Sequence, residues 1–181
     1  MGAVLGCLLL LSTCSADPMA LSVARGDVRE QKLDSIAWLG ARLDLPALDI
    51  LPNWRLHYEF EAGMIDAQPD DQNALNLMLG PTLQWHLPAT EWTVIVEGGL
   101  RPTYINRAIF NERSIGGSFH LASHIGAVFR LRRIPVQLGA RFLHISNGSV
   151  RGDSPGMNYA LFSFGYYWYP QAEMRSGAGA D

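Results

Sequence analysis

The segment Arg-Phe-Leu-His-Ile-Ser-Asn-Gly, residues 141–148, sets His144 and Ser146 two positions apart in an otherwise apolar run. In an extended chain, residues i and i+2 share a face and lie about 6 to 7 Å apart. An imidazole at that distance can take the proton of a serine hydroxyl, which is the base and nucleophile pairing of ester hydrolysis. The bare His-x-Ser pattern is a weak signal, and spacing alone is better explained by two interfacial polar residues. What the pair does depends on what its face of the strand meets.

That strand, 136–146, carries Val136, Leu138, Ala140, Phe142, His144 and Ser146 on one side and Gln137, Gly139 and Arg141 on the other. A period of two marks extended chain. Residues 54–64 alternate in the same way, with Trp54, Leu56, Tyr58, Phe60, Ala62 and Met64 opposed to Arg55, His57, Glu59 and Glu61. Further alternating runs lie at 75–87, 92–101, 119–131 and 158–168, with weaker ones near 20–27 and 35–43. Together they predict eight strands.

The connections near 88–91 and 132–134 are short, those at 65–73, 102–117 and 147–157 are longer and polar, and 44–53 breaks the pattern. Short turns at one end and long loops at the other predict an all-β fold, an eight-stranded antiparallel up-and-down transmembrane β-barrel. The apolar faces turn outward, and charges of both signs, such as Glu59, Glu97 and Arg101, pair in the lumen. His57, His86, His120 and His124 share this inward parity as lumen polar groups. No spacing among them reads as a zinc set, so neither metal nor cofactor is expected. A soluble lipocalin-like carrier shows the same alternation turned inside out, and a small non-catalytic barrel with a structural or adhesion role shares it outright.

No composition break divides the 181 residues, and a formal charge of −3 without a Lys/Arg cluster argues against nucleic acid as a partner. The apolar stretch AVLGCLLLLSTCSA reads as a signal peptide over residues 1–16 with cleavage after Ala16. LSTC also approaches a lipoprotein box, with Cys14 as the lipidated residue. The barrel then occupies 17–170 and a polar tail 171–181. Cys7 and Cys14 are the only cysteines, so cleavage at Ala16 leaves none for disulfides or thiolate chemistry. No later run reaches the roughly 18 apolar residues of a membrane helix, so a membrane span here has to be a closed barrel.

His144 and Ser146 thus face lipid at the end of the seventh strand. With both termini periplasmic, odd strands run outward, and this end is the extracellular rim at the level of the outer-leaflet head groups. Polar groups are tolerated there.

His-Ile-Ser-Asn at 144–147 and Pro-Gly-Met-Asn at 155–158 resemble the signature of PagL-type lipid A 3-O-deacylases, as do Gly-Ser-Phe-x-Leu-x-x-x-Ile-Gly-Ala at 117–127 and Glu-Gly-Gly at 97–99. The resemblance implies an outer-membrane esterase whose His144 and Ser146 release an ester-linked 3-hydroxyacyl chain from lipid A or lipopolysaccharide in the outer leaflet. A homodimer is left open. It also implies Asn147 and the backbone N–H of Gly148 as the oxyanion site. Asn158 stands where familiar members carry a glutamate that orients the histidine; its carbonyl can accept from the imidazole but cannot neutralise it. Asp153 is the alternative third member.

Overall fold

The structure, a computed structural model, describes residues 19–28, 36–45, 47–67, 72–107, 109–110, 113–147 and 156–169. The expected leader and tail lie outside them. Eight long strands form: β1 (Met19–Val28), β2 (Ile36–Asp44), β3 (Trp54–Ala67), β4 (Gln72–Pro88), β5 (Trp92–Ile105), β6 (Phe119–Leu131), β7 (Val136–Ser146) and β8 (Met157–Trp168). Each pairs antiparallel with the next, and β8 returns to β1 with Trp168 opposite Met19. The sheet closes into the expected barrel.

A short strand, Leu48–Leu51, folds back on the start of β3, and a two-residue hairpin pairs Ile109–Phe110 with Arg113–Ser114. The strands run further than the alternation suggests at the loop end. Only residues 68–71 separate β3 from β4, and β5 continues to Ile105. Ile65 and Ile105 are fully buried there, and this inward apolar burial extends the ladder past the last polar alternation.

The register also fixes the tilt. Met78 on β4 leads through Glu61 and Arg42 to Ser22, whereas Thr82 leads the other way through Gly99, His124, Leu143 and Tyr159 to Val28. Four residues on β4 and six on β1 make a stagger of ten residues. Eight strands with that stagger tilt by roughly 40° from the barrel axis. A line at right angles to the strands, from β1 to β2 and onward, therefore climbs toward the loop end.

The outer wall is apolar, with Leu79, Leu100, Ile125, Phe129, Phe142, Phe162 and Phe164 all exposed. Aromatic pairs ring both ends of that wall. Trp54 stacks on Trp85 at 5.8 Å and Tyr166 on Trp168 at 6.3 Å near the termini, and Tyr104 meets Phe119 at 5.4 Å near the loops. Such girdles belong at membrane interfaces.

The interior is not uniform along its length. Its middle is a charge lattice. Arg101 reaches Glu59 at 3.0 Å and Glu61 at 2.8 Å, Arg141 reaches the same two at 3.0 and 3.2 Å, and Arg42 binds Glu97 at 3.0 Å. Toward the loop end, inward positions become largely apolar: Trp38, Ile65, Met78, Ile105, Leu143, Ile145, Met157 and Tyr159 form one buried cluster. Apolar residues on both parities hide the alternation there.

Candidate active site

Leu143 and Ile145 anchor β7 in this apolar cluster, and Met157 and Tyr159 anchor β8 beside it. Alternation then turns His144 and Ser146, and Asn158 on the neighbouring strand, to the outer wall, where each is half-buried. Packed interior side chains thus hold the polar outer ones from behind.

His144 and Asn158 are direct cross-strand partners, and His144 Nδ1 lies 2.8 Å from Asn158 Oδ1. An amide oxygen only accepts, so this bond assigns the proton to Nδ1 and leaves the Nε2 lone pair basic. Gly156 lies against the other edge of the ring: a Cβ there would stand 2.8 Å from His144 Cε1 and 3.4 Å from Nε2. Gly156 also has φ +69, a conformation that favours glycine. It immediately precedes Met157, the partner of Ile145. The Cε1–Nε2 edge therefore points toward the loop end, the direction in which Ser146 follows His144.

Ser123 is the other cross-strand neighbour of His144, also half-buried on the outer wall. Sequence reasoning passed over it because only the register between β6 and β7 brings the two together. It flanks the imidazole on the side away from Asn158.

Asn147 is buried on the inward parity, its amide against Gly116, whose φ of +82 and missing side chain leave room for it. This contact ties the end of β7 to the β5–β6 connection. Gly148 and Asp153 lie outside the described residues.

Among the described histidines, His57 and His124 stand beside carboxylates: His57 with Asp44 and Glu59, His124 with Glu59 and Glu97. Those donor sets have metal-type chemistry, yet Glu59 and Glu97 already bind the guanidinium groups of Arg42, Arg101 and Arg141. A divalent cation there would compete with three fixed positive charges.

The family profile described as Lipid A 3-O-deacylase (PagL) matches residues 38–167, most of the chain and all of the site described above. The chain belongs to the PagL family. A lipid A deacylase PagL of Bordetella bronchiseptica is 27% identical over 89 residues, covering 48% of this chain and 46% of that protein. The aligned segment thus spans about half the length of this curated relative. Among solved structures, the outer-membrane enzyme PagL superposes with a TM-score of 0.63 at 17% identity, over 81% of this chain and 98% of that one. Neisserial surface protein A follows with 0.54 at 12% identity, over 83% and 97%. At these identities the structural likenesses speak for the fold, which is that of outer-membrane barrels. This PagL-family chain is accordingly an outer-membrane β-barrel.

Proposed function

We propose that the protein is a carboxylic ester hydrolase that removes the 3-O-linked 3-hydroxyacyl chain of lipid A from within the outer leaflet. The observation that carries this reading is the His144–Asn158 bond at 2.8 Å on the lipid-facing wall, in a chain of the PagL family. A lumen site would face the charge lattice, whereas this one faces acyl chains.

His144 is the general base: Asn158 fixes its tautomer, and Nε2 takes the proton of Ser146 as the hydroxyl attacks the ester carbonyl. The imidazolium then returns that proton to the departing sugar oxygen, leaving an acyl-serine that water hydrolyses by the reverse proton path. We assign the oxyanion donors to Asn147 and the backbone N–H of Gly148, the two residues that follow Ser146. The acyl chain transferred to Ser146 lies along Phe142 and Phe162, both exposed on the wall beside the site. No step calls for a cofactor.

Mass spectrometry of lipid A from cells with and without the protein tests the reading. Loss of one 3-hydroxyacyl chain supports it, and unchanged lipid A from cells with folded protein in the outer membrane refutes it.

A further inference from the structure

Within the eight strands, outward-facing positions are apolar almost throughout, and among the described residues Arg25 is the one arginine or lysine on that wall. Val23 flanks it along β1, Leu39 stands opposite it on β2, and Phe162 opposite it on β8. All three are exposed apolar residues, and the next position on the same face of β1 is Asp27, opposite Ala160. A guanidinium on a lipid-facing wall is costly near the bilayer centre and tolerated near the interface, where its stem carries the charge to the head groups.

The register gives its height. Arg25 is opposite Phe162, Phe162 is opposite Ala140, and His144 lies four residues beyond Ala140 toward the loop end. With strands tilted by roughly 40°, the two steps from β7 to β1 climb about 6 Å and the four residues along β7 about 10 Å. Arg25 therefore sits only about 4 Å lower than His144, displaced around the wall so that the two Cα atoms are about 16 Å apart. The small side chain of Ala160 lies midway on β8. Once the arginine stem and the imidazole have each covered part of the span, a gap on the order of 10 Å remains.

We propose that Arg25 is an anion subsite that binds a phosphate group on the head group of the same lipid whose ester meets His144 and Ser146. This rests on the deacylase reading, since lipid A is a phosphorylated glycolipid and the remaining gap is on the scale of its sugar rings. The guanidinium offers two parallel N–H donors to a phosphate, a geometry that lysine cannot reproduce. The subsite sets which lipid is seated and how far its ester lies from Nε2.

The test uses the full chain folded in detergent, as wild type, Arg25→Gln and Arg25→Lys, each matched for heat-modifiable, folded protein. Substrates are lipid A with its phosphates and the same lipid after phosphatase treatment, in mixed micelles. Arg25→Gln should raise KM on the phosphorylated lipid about tenfold with kcat within about twofold, Arg25→Lys should fall between, and the dephosphorylated lipid should not distinguish the three. Equal losses on both lipids, or none on either, overturn the subsite. A binding arm without turnover separates this from the deacylase reading: fluorescent phosphorylated and dephosphorylated lipids are titrated into Ser146→Ala with and without Arg25→Gln. A preference for phosphate that disappears with Arg25 supports the subsite even if no lipid is deacylated. Absence of any preference overturns it.

Discussion

His144 Nδ1 and Asn158 Oδ1 stand 2.8 Å apart between residues directly opposite each other on β7 and β8. In the proposed mechanism the amide orients the ring as a carboxylate would, but brings no charge to the imidazolium that attack by Ser146 would form. Asn158→Ala should therefore lose orientation alone, slowing turnover by about 10- to 100-fold. Asn158→Glu places a negative charge beside the imidazolium and favours the protonated ring. Because the base must be neutral to act, the acidic limb of the rate profile should move to higher pH, with turnover at its plateau equal to or above wild type. Deacylation rate against pH for wild type and both variants checks this. Wild-type behaviour in both, with an inactive Asp153→Asn, would make Asp153 the third member.

Gly156 supplies a second constraint on the same ring. A Cβ at this position would press on His144 Cε1 at 2.8 Å and on the Ile145 carbonyl at 3.1 Å, in a backbone conformation with φ +69. Gly156→Ala should lower kcat by at least about tenfold through a displaced imidazole, with KM and heat-modifiability close to wild type. Steady-state kinetics decide it, and an unchanged kcat would mean that the ring has room to move.

Stability should depend on the lattice inside the barrel rather than on the site. Glu59 is fully buried and lies 3.0 Å from both Arg101 and Arg141. Glu59→Leu removes one of the carboxylates that these buried guanidinium groups share and should cost about 3 kcal/mol. Equilibrium unfolding in detergent measures the loss. The remaining folded fraction should release the same acyl chain as wild type.

Much of the fold was legible because one face of nearly every strand is apolar along its whole length. Trp54 to Met64 and Val136 to Phe142 carry that signal without interruption. It failed at the loop end of the lumen, where Leu143, Ile145, Met157 and Tyr159 make the inward face apolar too. Periodicity cannot tell such a plug from a lipid-facing wall. At the site, the spacing of His144 and Ser146 was readable within one strand, whereas the placing of Asn158, Ser123 and Gly156 beside His144 depends on register between strands. The level of Arg25 was further out of reach, since it follows from the stagger of the whole closed sheet.

The identity of the nucleophile is the central claim, and two serines compete for it. Ser146 follows His144 in the direction that the Nε2 edge faces, while Ser123 is its cross-strand neighbour on the opposite side from Asn158. The most direct measurement is the mass of lipid A after incubation with folded wild type, Ser146→Ala and Ser123→Ala. Loss of the 3-O-linked chain should proceed in wild type and Ser123→Ala, and fall by at least about 10³-fold in Ser146→Ala. Deacylation retained in Ser146→Ala and lost in Ser123→Ala would contradict the assignment.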